Sequence, residues 1–83
     1  MKELIHFSAT WCQPCKQMQP VLDSFVSNNE DIAYTKYDAD ESVSVFEQYK
    51  IRSVPAFISK IDGVVIKMHM GTATEEKLDS LFS

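Results

Sequence analysis

Two cysteines separated by two residues are the part of the sequence best suited to chemistry. The chain has no other cysteine, and the pair lies in Trp11-Cys12-Gln13-Pro14-Cys15-Lys16. On a helix, residues three positions apart share a face, with Cβ atoms about 5–6 Å apart, whereas a disulfide requires about 3.5–4.5 Å. A slightly tightened first turn therefore closes the bond, and a relaxed turn tolerates its loss. The spacing predicts a disulfide that forms and breaks with little backbone motion.

Pro14 indicates that the pair lies at the start of a helix. Proline has no backbone N–H and a fixed φ, so it suits the first helical turn. Metal binding is the other common use of paired cysteines, but a mononuclear zinc site usually takes four ligands. The chain offers two Cys and two His at unsuitable spacing. We therefore expect neither a metal nor a bound cofactor.

The composition is that of one ordinary globular domain, which we expect to span residues 1–83. Apolar residues make up 45%, charged residues 24%, and the net charge is −4. No cluster of Lys and Arg predicts nucleic-acid binding. The short apolar run at residues 4–7 is neither a signal-peptide core nor a membrane span. We expect a cytoplasmic monomer that binds no nucleic acid and no membrane.

The elements that must position the cysteines begin with strands. Short apolar stretches rich in β-branched and aromatic residues predict strands at residues 3–8, 32–37, 56–60 and 64–70. The first strand leads directly into the cysteine motif. Asp62-Gly63 predicts a hairpin turn between the last two strands. Met68 and Met70 are expected in the core and at the rim of the site.

Helices are predicted in the intervals between these strands. The first begins near Cys12 and has its apolar stripe at Met18, Val21, Leu22 and Phe25. Pro20 lies inside that run and should kink the helix. A short helix is predicted near residues 42–49, and a last one begins after Thr74, which can cap it.

The resulting element order is βαβαββα. A strand–helix–strand unit favours parallel pairing through a right-handed crossover, whereas the hairpin requires an antiparallel pair. The sequence therefore predicts an α/β fold with a mixed four-stranded sheet and helices on both faces.

The chain resembles the thioredoxin family. The resemblance covers nearly the whole chain and rests on the cysteine motif, on Lys36, on Arg52-Ser53-Val54-Pro55, on the turn at Asp62-Gly63 and on Gly71. It implies a minimal thioredoxin-like fold without the extra strand and helix with which the family usually begins, so that residues 32–37 form a sheet edge. It also implies a thiol–disulfide oxidoreductase that reduces protein disulfides.

The resemblance gives the two cysteines different roles. Cys12 is the expected nucleophile, because a thiolate at a helix N-terminus is favoured by unpaired backbone N–H groups. Cys15 is the expected resolving thiol, which attacks the Cys12 sulfur of a mixed disulfide and releases the reduced substrate. The implied partners are disulfide-containing proteins and a thioredoxin reductase or similar electron donor.

A substrate-binding rim around the sulfurs is also implied by the resemblance. Its expected members are Trp11, Gln13, Pro14, Val54, Pro55 and Gly71. The peptide bond between Val54 and Pro55 is predicted to be cis, with Val54 offering backbone groups to an extended substrate segment. The alternatives are an ordinary trans peptide bond before Pro55, a Trp11 packed in the core and a Gly71 that only ends a strand.

His6 stands where the family has a buried acidic residue, six positions before the first cysteine. A neutral imidazole can accept a proton from Cys15 as that thiol becomes a nucleophile. The alternative is a core histidine bonded to backbone or water. Lys36 is expected near His6, where it either tunes the site electrostatically or is simply solvated.

Two other functions remain open from the sequence. Ser53-Val54-Pro55 is close to the Thr-Val-Pro of glutaredoxins, which use glutathione, although that family favours Pro-Tyr between its cysteines and commonly has Gly-Gly at the position of Gly71. A non-enzymatic thioredoxin-like interaction subunit is the second alternative.

Overall fold

The secondary structure follows the predicted order, with one helix divided in two. A computed structural model describes all residues 1–83 as β1 (Lys2–Ser8), α1 (Gln13–Gln17), α2 (Gln19–Asn28), β2 (Ile32–Asp38), α3 (Val43–Gln48), β3 (Ala56–Ile61), β4 (Val64–Met70) and α4 (Glu75–Ser80). Met18 separates α1 from α2, and Pro20 lies in the first turn of α2. Because proline has no N–H, it cannot continue the helical hydrogen bonds of α1. No helix is long and apolar enough to span a membrane.

The mixed four-stranded sheet is confirmed. Its strand order is β2-β1-β3-β4. The β1 strand pairs in parallel with β2 and antiparallel with β3, and β3 pairs antiparallel with β4. Asp62 and Gly63 join the last two strands with positive φ angles of 53° and 82°, as a tight type I′ hairpin turn requires. The β2 strand forms one edge of the sheet, as expected.

Helices cover both faces of the sheet, because side chains alternate along each strand. On one face, α2 and α4 pack on the sheet through a core of Leu4, Met18, Leu22, Phe25, Ile32, Phe57, Leu78 and Leu81. On the other face, α3 contributes to a smaller core of Ile5, Phe7, Phe46, Ile51, Ala56 and Ile58. We call these the α2/α4 face and the α3 face.

The β4 strand corrects one expectation. Met68 and Met70 are 47% and 59% exposed, so their assignment to the core was wrong. As an edge strand, β4 lies beyond the cover of the six-residue helix α3. A bulge opposite Ser59 and Lys60 also shifts the alternation of β4. Val65 therefore shares the α3 face with Met68 and Met70.

Candidate functional site

The cysteine pair lies at the N-terminus of α1, directly after β1. Cys12 and Cys15 form a disulfide with a Cα–Cα distance of 5.3 Å. Cys12 is the N-cap residue, and its Sγ accepts a hydrogen bond of 3.2 Å from the backbone N–H of Cys15. Pro14 occupies the first turn, where its missing N–H leaves no bond unmade. The predicted position of the pair is confirmed.

The two cysteines differ in their surroundings. Cys12 is 5% exposed and Cys15 is 2% exposed, and both pack with Ala9, Ala39 and Val54. The N–H that bonds to the Cys12 sulfur favours a negative charge there, because a charged acceptor strengthens such a bond. Both cysteines are thus buried, and Cys12 is slightly more exposed than Cys15.

The loop before β3 lies against the cysteines. The Val54-Pro55 peptide bond is cis, as predicted. The carbonyl of Pro55 accepts a hydrogen bond of 2.8 Å from the N–H of Gly71, which ties the end of β4 to this loop. Gly71 has a φ of 97°, a conformation that favours glycine. Open space surrounds the position of its missing side chain.

The remaining predicted rim residues, just before and at the start of α1, are open to solvent. Trp11 is 66% exposed, so the structure excludes the alternative of a core tryptophan. Gln13 and Pro14 are also exposed. An exposed apolar ring and two exposed side chains therefore lie next to the cysteines in the sequence.

His6 lies in β1 and is completely buried. Its Nδ1 is 3.1 Å from the hydroxyl of Tyr34, and its ring stacks on Phe57 at 4.7 Å. Its Nε2 has no hydrogen-bond partner. Burial, with a smaller effect from the positive charge of Lys36, lowers the pKa of His6 from 6.5 to about 4. His6 is therefore neutral at neutral pH.

The neighbours of His6 come from β2. Lys36 pairs with His6 in the parallel register, as expected, and its exposed amine donates a hydrogen bond of 3.3 Å to Gln19. Sequence reasoning missed Tyr34. Burial, with a smaller effect from Asp23, raises the pKa of Tyr34 to about 12. The hydroxyl beside His6 thus stays protonated at neutral pH.

A cleft of about 360 Å³ opens where β1 and β2 end beneath α1. Its lining includes Ser8, Thr10, Cys15, Lys16, Lys36 and Asp38. Asp38 was not among the predicted site residues. The signal that could have found it is its place at the carboxyl end of β2, since ligands of parallel sheets gather at the carboxyl ends of strands.

Together, the Cys12–Cys15 disulfide at a helix N-terminus, the adjoining cis-proline loop and the mixed sheet define a dithiol domain of the thioredoxin fold. The family model described as Thioredoxin matches residues 1–83, the whole length of the sequence. The chain therefore belongs to the thioredoxin family.

Individual relatives agree with this assignment. The chain is 35% identical to Thioredoxin H3 of Arabidopsis thaliana over 94% of its own length, and 36% identical to the mitochondrial Thioredoxin-3 of Saccharomyces cerevisiae over 96%. It spans only 66% and 65% of the lengths of these two relatives.

Solved structures show the same similarity. The oxidised mitochondrial Thioredoxin 3 from Saccharomyces cerevisiae superposes with a TM-score of 0.88 at 35% identity, covering 95% of this chain and 74% of that one. The germline-specific thioredoxin Deadhead from Drosophila melanogaster gives 0.89 at 29% identity, covering 98% and 77%.

Proposed function

We propose that this domain reduces protein disulfides, with Cys12 as the nucleophile and Cys15 as the resolving thiol. The observation that carries the proposal is the Cys12–Cys15 disulfide at the N-cap of α1, where the Cys12 sulfur accepts the N–H of Cys15. Once the disulfide is reduced, that N–H stabilises a thiolate on Cys12, the form that attacks disulfides. Family membership supports the same activity.

The proposed reaction proceeds in two exchanges. The Cys12 thiolate attacks one sulfur of the substrate disulfide, forms a mixed disulfide and displaces the first substrate thiolate. Cys15 then loses its proton and attacks the Cys12 sulfur. The Cys12–Cys15 disulfide forms, the second substrate thiolate leaves, and both substrate thiolates take up protons. Two electrons pass from the dithiol to the substrate, and an external donor must return them.

The rim residues are proposed to hold the substrate chain in an extended form. Val54 lies beside the cysteines, and the Pro55 carbonyl is already bonded to Gly71. The backbone groups of Val54 are thus proposed to pair with the substrate as a strand edge does. Trp11, Gln13 and Pro14 would contact the substrate on the opposite side of the sulfurs.

We extend the proposal to His6 and Lys36. A neutral imidazole with one free nitrogen is suited to accept a proton while Cys15 becomes a nucleophile. Lys36 is proposed to tune His6, because its positive charge opposes protonation of the imidazole. Replacing His6 with Asn should slow resolution between pH 5.5 and 8.5. Unchanged exchange rates over that range would exclude a role for His6.

The proposed partners are disulfide-containing proteins and a thioredoxin reductase or similar donor. A monomer in the cytoplasm is the proposed state and place of action, because a reducing compartment maintains the dithiol form that the reaction consumes.

Cysteine variants test the main proposal. The wild-type domain should reduce insulin disulfides when it is supplied with a thioredoxin reductase and NADPH. Cys12→Ser should abolish the activity, whereas Cys15→Ser should accumulate mixed disulfides on Cys12, which mass spectrometry identifies. Trp11→Phe keeps the aromatic rim and both sulfurs, so it should retain most of the activity.

Two outcomes would instead support one of the two alternative functions. Reduction by glutathione but not by the reductase would indicate a glutaredoxin-like enzyme. A wild-type domain that reduces no disulfide with either donor would indicate an interaction subunit.

A further inference from the structure

The cleft beneath α1 borders Cys15 but none of the residues of the proposed substrate rim. Cys15 is only 2% exposed, yet it belongs to the lining of a cleft of about 360 Å³. Cys12, Trp11 and Pro55 do not belong to that lining. A space of this size accommodates several water molecules. Cys15 therefore borders an open space that the proposed substrate rim does not share.

Asp38 is the one carboxylate in the lining of the cleft. The other charged groups there are the ammonium groups of Lys16, from α1, and Lys36, from β2. His6, from β1, lies on the same face of the sheet but does not line the cleft. Because an ammonium group has no lone pair to accept a proton, Asp38 is the only charged group in the cleft that can accept one.

The local backbone holds Asp38 in place. Its Oδ1 accepts a hydrogen bond of 2.8 Å from the N–H of Asp40, and the N–H of Ala39 donates a bond of 2.9 Å to the carbonyl of Ser8. The end of β2 is thereby fixed to the end of β1. The second carboxylate oxygen of Asp38 makes no hydrogen bond within the chain.

Resolution requires Cys15 to lose a proton, because only a thiolate attacks the mixed disulfide. His6, proposed above to take a proton from Cys15, is completely buried with its Nδ1 beside Tyr34, so a proton on it has no direct exit to solvent and must pass to another acceptor. Asp38 lines the same open cleft as Cys15.

We propose that Asp38 is the final acceptor, within the chain, of the Cys15 proton, which reaches it through the cleft during resolution, and that Asp38 returns the proton when the disulfide is reduced again. This assignment rests on the proposed function. As the proton passes to the Asp38 carboxylate, the Cys15 sulfur forms its bond to Cys12, and the bond from Cys12 to the substrate breaks. The substrate thiolate leaves with the electron pair, and Asp38 gives the proton to solvent.

The test separates the two exchanges in one experiment. The reduced domain is mixed rapidly with an equimolar nitroaryl disulfide, whose released thiolate is coloured. The first release reports the attack by Cys12, and the second reports resolution by Cys15. The variants are Asp38→Asn, which keeps an oxygen for the Asp40 N–H, and Asp38→Glu, which keeps the carboxylate. Asp40→Asn is the matched control, because it removes an equal charge from an exposed neighbour.

Asp38→Asn should slow the second release about tenfold or more at pH 6–7 and leave the first release unchanged. This expected slowing is smaller than the ~10²–10⁴-fold that general bases contribute, because water in the cleft partly replaces Asp38 as the proton acceptor. The deficit should shrink as pH rises toward 8.5, the ordinary range of cysteine ionisation. Asp38→Glu and Asp40→Asn should stay near wild type, and added formate should speed the Asp38→Asn variant.

Three results would overturn the assignment. One is a second release in Asp38→Asn that matches wild type. Another is an equal slowing by Asp40→Asn. The third is a slowing of both releases that neither pH nor formate changes, which indicates a structural role. A wild-type domain that gives no first release contradicts the proposed function itself, so the two failures are distinguishable.

Discussion

The two faces of the sheet carry different kinds of side chain near the same disulfide. Along β1, Leu4, His6 and Ser8 belong to the α2/α4 face, and Ile5 and Phe7 belong to the α3 face. The polar groups next to the cysteines therefore reach one face only. The difference shows that a two-residue period is enough to place the groups suited to proton transfer on one side and mainly apolar support on the other.

The faces also differ in how completely helices cover them. The α2/α4 face is closed by two helices over a core of eight buried residues. The α3 face has one short helix, and an apolar row at the β4 edge stays 39–59% exposed; this row is Val65, Ile66, Met68 and Met70. Stability should therefore depend on the first face far more than on the row.

Truncation on each face should give the largest contrast. Leu22 is fully buried on the α2/α4 face, so Leu22→Ala should lower the free energy of unfolding by about 2–5 kcal/mol. Met68→Ala removes a side chain of similar size from the exposed row and should change it by less than about 0.5 kcal/mol. Denaturation by guanidinium chloride measures both values. Equal losses would show that the row is packed as tightly as the core.

Acid should weaken the α2/α4 face through His6. The folded form holds this imidazole neutral down to a pKa of about 4, whereas the unfolded chain protonates it at about 6.5. The unfolded state therefore binds the extra proton between these values. The contribution of His6 to stability is complete above pH 6.5 and falls by about 3 kcal/mol as pH drops to 4.

His6→Gln should remove that loss, so its free energy of unfolding should fall less than that of wild type between pH 6.5 and 4. His69→Gln is the matched control, because His69 stacks on the same Phe57 ring from a partly exposed position. If the free energy of unfolding fell equally in wild type and in His6→Gln between pH 6.5 and 4, His6 would not be a neutral buried imidazole in the folded state.

Local signals in the sequence predicted most of the fold. The alternating strands, the turn at Asp62-Gly63 and the helix start at Cys12 depend on neighbouring residues, so they could be predicted before the fold was known. The cis bond before Pro55 came from the family resemblance, since few such bonds are cis. The bulge at Ile66 lies in an apolar run and gives no clear signal in the sequence, so the faces that the β4 side chains take could not be predicted.

The interior of the candidate site was harder to predict, because it depends on register between distant strands. Tyr34 meets His6 across a sequence separation of 28 residues, and the cleft joins Asp38 to Cys15 between β2 and α1. A one-residue shift of β2 would move Tyr34 and Asp38 to the α3 face. Spacing along the chain cannot determine that register.

The two tyrosines of β2, Tyr34 and Tyr37, should differ in how much their hydroxyls stabilise the fold, by less than the difference between Leu22 and Met68. Tyr34→Phe removes the hydroxyl beside Nδ1 and leaves both His6 nitrogens without a partner, so it should lower the free energy of unfolding by about 1–2 kcal/mol. Tyr37 packs on Phe7 on the α3 face, and its hydroxyl has no partner in the chain. Tyr37→Phe should therefore change stability by less than about 0.5 kcal/mol. Equal effects at neutral pH would show that the hydroxyl of Tyr34 does not stabilise His6.

The exposed row should give the smallest effect on stability and a clear effect on surface hydrophobicity. Replacing Ile66 and Met68 with Thr keeps two strand-compatible side chains, so the free energy of unfolding should change by less than about 0.5 kcal/mol. Because both are exposed apolar residues of the edge strand β4, the double variant should elute earlier in hydrophobic interaction chromatography. Val43→Thr alters a single exposed apolar residue on α3 and should shift elution less. Equal elution of the double variant and wild type would mean that the row is shielded in solution, and the contrast between the faces would then lie in their polar groups alone.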